Sequence, residues 1–312
     1  MPSARQGSIH LFRFAGIDLF LHWSWFLVAV LEIQSRSGRY SSVASNVLEY
    51  LALFLIVSLH EFGHALACRQ VGGRANQIVL WPLGGVAYVD PPPRPGATLW
   101  SIAAGPLVNV ALIPVLAFAC SVTGSQLWMF DRPNVYALLP TIFWMNLGLF
   151  VFNILPIYPL DGGQILRSLL WFVIGRAHSL LVATILGLIG VVGFFGYAIV
   201  KGSVWYGALA VFMLMNCWGG FRHAQSLLRV AKLPRRHGFS CPICKTAPPV
   251  GAYWKCGHCG QPFDTFENGA VCPNCHFQFP STQCLDCGRQ SPLSAWAGQT
   301  LVSSDVQFAQ PH

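Results

Sequence analysis

The stretch LALFLIVSLHEFGHALA, residues 51–67, sets His60, Glu61 and His64 into a run that is otherwise almost entirely apolar. About 20 apolar residues at roughly 1.5 Å rise cross a hydrocarbon core, so the run reads as part of a membrane helix. On that helix positions i and i+4 share a face, and His60 and His64 can aim ring nitrogens at one metal ion. Glu61 stands beside them, free to take a proton from water at the metal, the H-E-x-x-H arrangement of metalloproteases. A charged residue at membrane depth costs about 2.5–3.5 kcal/mol, which argues against Glu61 serving mere packing.

Outward from this stretch, the 312-residue chain is 54% hydrophobic and only 10% charged. Spans are expected from near Ile17 (IDLFLHWSWFLVAVLEI) and over about 47–68, 98–120, 135–155, 179–200 and 203–220. The segment QIVLWPLGGVAYVD, 77–90, holds two β-prone runs around Pro82-Leu83-Gly84-Gly85. It is too short and too broken for a span and reads as a hairpin, tolerable at membrane depth only against protein or a water-filled cavity. The expected fold is therefore all-α and polytopic, with about six transmembrane helices, one short membrane-embedded β-hairpin and a small zinc-stabilised C-terminal domain.

The boundary falls near Gly238, giving a membrane core over 1–237 and a tail over 238–312, where apolar runs vanish and eight of the eleven cysteines lie. Lys and Arg number 16 against 7 acidic residues before that boundary, and 3 against 4 after it. The basic excess thus belongs to membrane loops, and no nucleic-acid partner is expected. Placing Arg5, Arg13, Arg69, Arg74, Arg94, Arg167, Arg176 and the cluster Arg222 to Arg236 on the inner side leaves Arg36, Arg39, Arg132 and Lys201 outside. This predicts a multi-pass protein of a prokaryotic cell membrane with both termini cytoplasmic. No small-residue cleavage site follows a short apolar core, so no signal peptide is expected.

A catalytic zinc site takes three protein ligands and keeps one open position. Asp161, in PLDGG, is the only carboxylate between Asp131 and the tail, and it lies at the inner end of the fourth span, as the histidine pair does in the second. Topology brings the three to one depth, although Asp161 could equally cap the amphipathic segment that follows it.

The tail reads CPIC, CGHC, CPNC and CLDC. Its eight thiolates, Cys241, Cys244, Cys256, Cys259, Cys272, Cys275, Cys284 and Cys287, are the complement of two structural four-cysteine zinc sites. Sequential, interleaved and nested pairings of the four knuckles all remain open. Trp254, Phe263, Phe266, Phe277 and Phe279 would form small cores around the metals or, alternatively, a face for a protein partner.

HEFGH at 60–64, AAGPLVN at 103–109 and NILPIYPLDGG at 153–163 resemble, in order and spacing, the motifs of the site-2 protease family of intramembrane zinc metalloproteases. PLGGVAY, 82–88, is similar to the membrane-embedded hairpin of one group of that family. The resemblance implies that His60, His64 and Asp161 ligate zinc and that Glu61 is general base. It further implies that the hairpin around Gly84 and Gly85 offers an edge to an unwound transmembrane substrate, and that Asn153 helps bind it. A different class of function, a catalytically silent zinc-binding membrane scaffold or sensor that recruits partners through its tail, would keep the fold but leave Glu61 unexplained.

Overall fold

The computed structural model describes residues 7–35, 40–81, 84–124, 129 and 131–297. The chain divides into two compact units, Met1–Phe221 and Arg222–His312. Pro82 and Leu83 of the expected hairpin, and Arg5, Arg36 and Arg39 of the orientation argument, lie outside the described residues.

The first unit opens with strands β1 (Ser8–Phe14) and β2 (Ile17–His22), then helices α1 (Ser24–Ser35) and α2 (Val43–Gln70). Strands β3 (Arg74–Trp81) and β4 (Gly84–Asp90) follow, then α3 (Pro95–Thr123), α4 (Pro133–Ile154), α5 (Asp161–Lys201) and α6 (Val204–Ala231). Among the described residues five helices, α2 to α6, are long and apolar enough to cross a membrane.

The start of the first span, expected near Ile17, is corrected: residues 17–22 form β2, and helix begins only at Ser24, in α1. The reason lies in the turn before β2. Ala15 and Gly16 both take positive φ, 49° and 75°, the two-residue connection whose twist suits an antiparallel hairpin. IDLFLH therefore pairs with β1, Phe14 opposite Ile17, and buries almost its whole length. Length and hydropathy alone had no means of separating such a buried strand from a helix.

The hairpin is also larger than expected. β3 and β4 are antiparallel, but β3 pairs in parallel with β2, giving a four-stranded sheet of order β1-β2-β3-β4. The parallel pair needs a long crossover, which α1 and α2 supply. One face of the sheet packs on α2, where Ile17, Leu19, Leu21, Ile78 and Leu80 share a core with Val57, Phe62 and Ala65. β4 is left as a free edge beside the histidine-bearing helix.

α2 starts at the N-cap Ser42, whose hydroxyl accepts from the Ala44 N–H at 3.2 Å. It ends where the Gly72 and Gly73 N–H groups turn back to the Arg69 and Cys68 carbonyls. The amphipathic piece and the fifth span are two helical segments, as expected, which meet within α5 at Gly175, where φ 78° and ψ 172° leave the helical region.

The second unit is built on four turns of one design. In each knuckle the N–H of the first cysteine bonds a carbonyl five residues on, and its own carbonyl accepts from the residue four on: Lys245, Gly260, His276 and Gly288. Those four residues all have positive φ. Trp254, Phe263 and Phe266 are buried, with Trp296 the most deeply buried of the aromatics, whereas Phe277 is 46% exposed and stacks on His258 instead of filling a core.

Arg235 and Arg236, counted in the sequence as inner-face charges, are engaged inside this unit. Arg235 makes a two-pronged bond to Asp286 at 2.7 and 3.0 Å, and that contact raises its pKa. Arg236 bonds the buried Asp264 carboxylate, which also accepts from the Gly251 and Phe266 N–H groups.

Candidate active site

His60 and His64, one turn apart on α2, meet Asp161 from the first turn of α5. The His60 Nε2–Asp161 Oδ2, His64 Nε2–Asp161 Oδ2 and His60 Nε2–His64 Nε2 separations are 3.0, 3.3 and 3.1 Å. All three residues are at least nine-tenths buried. Asp161 caps nothing: the N-cap of α5 is Leu160, with no side-chain cap bond, and the carboxylate is spent on the histidines.

The other ring nitrogens face oxygen atoms. His64 Nδ1 lies 2.9 Å from the Ser101 carbonyl, and His60 Nδ1 lies 2.6 Å from Asn109 Oδ1. A backbone carbonyl only accepts, so it holds the His64 proton on Nδ1. With both imidazoles neutral and protonated at Nδ1, three lone-pair atoms converge at 3.0–3.3 Å with no proton between them. That arrangement is repulsive unless a cation sits there. A tetrahedral ion about 2.0–2.1 Å from each ligand would set them roughly 3.3 Å apart, so the donor set fits zinc.

Glu61 is 7% exposed, and its Oε2 accepts the Ala87 N–H of β4 at 3.0 Å. Gly85, two residues before, lies against the same carboxylate, and a Cβ there would overlap it. Since Ala87 turns its N–H away from β3, the two-residue repeat turns the backbone groups of Gly85 and Val89 the same way. These three residues line a cavity of about 330 Å³ together with His60, Glu61, His64 and Asp161. Asn153, in the last turn of α4, lines it too, as do Phe152, Leu209, Phe212 and Met213. Gly84 pairs with Trp81 at the start of β4.

Gly105, in AAGPLVN, lies inside α3. A Cβ on it would sit 2.8 Å from His60 Nε2 and overlap His64 Nε2, so the α3 backbone forms one wall of the place where the three ligand atoms converge. Ser101, Gly105 and Asn109 recur every four residues, one face of α3 laid along the histidine face of α2. That spacing was visible in the sequence, but nothing in it said which helix faces which. His22 ends β2 and stacks on Trp81 with ring centroids 3.9 Å apart.

In the second unit the thiolates gather as Cys241, Cys244, Cys284 and Cys287, and as Cys256, Cys259, Cys272 and Cys275. The first knuckle joins the fourth and the second joins the third, the nested choice among the three that the sequence left open. Sulfur–sulfur separations of 3.6–3.7 Å across each group are far beyond a disulfide and match the roughly 3.8 Å edge of a tetrahedron with 2.3 Å zinc–sulfur bonds. The contact between Cys244 and Cys284 lowers the pKa of the Cys244 thiol and raises that of Cys284.

Residues 49–131 and 129–196 match Peptidase family M50. A zinc metalloprotease of Methanocaldococcus jannaschii is 38% identical over 181 residues, 58% of this chain and 50% of that protein. A putative zinc metalloprotease of Synechocystis is 28% identical over 228 residues, 67% of this chain and 59% of its own length. The chain thus spans about half the length of the curated relatives it matches. The solved structure of a site-2 protease from Methanocaldococcus jannaschii aligns with TM-score 0.50 at 28% identity, covering 69% of this chain and 95% of that one. Helix order, the converging His60–His64–Asp161 set and these matches together make the membrane part of the chain similar to Peptidase family M50, the site-2 protease family of zinc metalloproteases.

Proposed function

We propose that this chain is an intramembrane zinc endopeptidase that cleaves transmembrane segments of membrane proteins near the inner face of a prokaryotic cell membrane. The observation that carries the reading is the buried set of three lone-pair atoms with a carboxylate, Glu61, alongside and a free strand edge opening on the same cavity.

His60, His64 and Asp161 would hold the catalytic ion. Zinc, when bound there, supplies Lewis acidity toward water and toward the scissile carbonyl. Glu61 takes the proton of the attacking water and returns it to the leaving amine. A substrate helix hides its carbonyls in its own hydrogen bonds, so it must unwind to be cut. The outward backbone groups of Gly85 and Val89, with the Ala87 carbonyl between them, can pair the unwound segment as an added strand. Asn153, across the cavity, offers an amide to its backbone. The scaffold reading has no use for a buried carboxylate held beside the histidines.

The tail holds two further zinc ions, one per nested cysteine group, and these are structural, since four thiolates leave no open position. Both termini lie in the cytoplasm, where thiols stay reduced.

The test compares Glu61→Gln with Asp161→Asn on a membrane substrate, with zinc measured per chain. Cleavage should vanish in both, three zinc ions remaining in the first and two in the second. Unchanged cleavage by Glu61→Gln would refute the protease reading.

A further inference from the structure

Asn109 and Asn146 are completely buried polar residues from separate helices, α3 and α4. Asn146 Nδ2 donates to the Asn109 backbone carbonyl at 3.0 Å, Asn109 Nδ2 donates to Asn146 Oδ1 at 2.8 Å, and Asn109 Oδ1 lies 2.6 Å from His60 Nδ1. The chain of contacts has one origin that cannot be reversed. The Asn109 carbonyl oxygen only accepts, so the Asn146 amide must present its NH₂ there and its oxygen to Asn109. Asn109 must then give its own NH₂ to that oxygen, which leaves its Oδ1 facing His60. Turning either amide over sets oxygen against oxygen in a fully buried place, a loss of the order of 1–3 kcal/mol for each unmade bond.

We propose that Asn109 and Asn146 act together as positioning residues that hold the His60 proton on Nδ1 and so keep its Nε2 lone pair aimed at Asp161 and His64. The proposal rests on the reading of His60 as a metal ligand. Both histidines thereby reach the same tautomer by different means: His64 from a backbone carbonyl, which no substitution can remove, and His60 from a side chain whose orientation is imposed by a third helix. It also explains why two asparagines are kept at a membrane helix interface where either alone would serve as a contact. Metal-ligating histidines depend on the partner of their second nitrogen, and loss of that partner commonly weakens metal binding about 10- to 100-fold.

The experiment uses the full-length chain in detergent, loaded with cobalt(II). The all-sulfur tail sites and the core site differ in their absorption, because only thiolate ligands give intense charge-transfer bands. Core-site affinity is then read by chelator competition. Asn109→Leu, close in size but with no acceptor, should weaken the core site about 10- to 100-fold and lower kcat with KM little changed. Asn109→Asp, which keeps an acceptor toward His60 but gives up the donor to Asn146 Oδ1, should hold the core metal more tightly than Asn109→Leu. Asn146→Leu, which touches no ligand, should weaken the core site as well, and it serves if Asn109→Leu does not fold. A folded Asn109→Leu chain with parental core affinity, or an Asn109→Asp chain as weak as Asn109→Leu, would overturn the proposal. His60→Ala is the control: if it keeps the core cobalt signal, the metal reading itself is wrong and the proposal falls with it.

Discussion

A methyl group on Gly105 would project to 2.8 Å from His60 Nε2 and collide with His64 Nε2, at the point where the three ligand atoms converge. Yet alanine is a better helix former than glycine, by about 1 kcal/mol in a helix interior. Gly105→Ala is therefore expected to leave α3 helical and the thermal unfolding temperature in detergent nearly unchanged. Metal analysis should nonetheless find two zinc ions per chain instead of three, and no cleavage. A chain that loses its fold together with its zinc would show instead that the close approach of α2 and α3 is what Gly105 protects. At this scale the histidine pair and Glu61 were legible, because H-E-x-x-H is a local pattern on one helix. Gly105, Ser101 and Asn109 were not, because their role exists only against the other helix.

At the scale of elements, β4 carries the argument. It is an edge strand whose partner β3 satisfies one side, and on the other side the Ala87 N–H is already bonded to Glu61. Proline is accepted on an edge strand where the lost N–H does not face the neighbouring strand. Val89→Pro should thus preserve the sheet and the core zinc, while removing one outward donor that an incoming strand would use. Cleavage of a membrane substrate is expected to fall by roughly tenfold, the equivalent of about 1.4 kcal/mol for one net hydrogen bond. Equal rates in the variant and the parent would rule out pairing along this edge. The sequence announced the β3–β4 hairpin through its β-prone runs around a Gly-Gly pair. It did not announce β2, because IDLFLH continues without a break into the apolar segment after it, and only pairing with β1 and β3 makes it a strand.

For the whole molecule, the two units gather different donor sets, two histidines with a carboxylate within apolar helices and two groups of four thiols in the tail. The nested pairing of the knuckles has a direct consequence for stoichiometry. Removing Cys244 and Cys284 together should cost one zinc ion, as removing either alone does, because both belong to one cage. Removing Cys244 and Cys259 together should cost two. Under sequential pairing the pattern inverts: the first double variant would lose two ions and the second only one, and metal analysis of the purified chains decides between them. The nested arrangement also ties the chain segment after α6 to the far end of the tail, since Arg235 bonds Asp286, next to the last cage cysteine.

Composition and local spacing were sufficient to establish a polytopic helical chain with an H-E-x-x-H pair, a candidate third ligand in PLDGG and eight paired cysteines. Each of those signals is written within a few consecutive residues, where helix periodicity and ligand chemistry act directly. What only tertiary structure decided were the relations between distant segments. These are the parallel pairing that turns Ile17–His22 into a strand, the approach of α3 that fixes both histidine tautomers, and the joining of the first knuckle to the fourth. The physical reason is common to all three: a hydrogen bond, a close backbone contact or a metal cage needs two partners in space, and one stretch of sequence specifies only its own half.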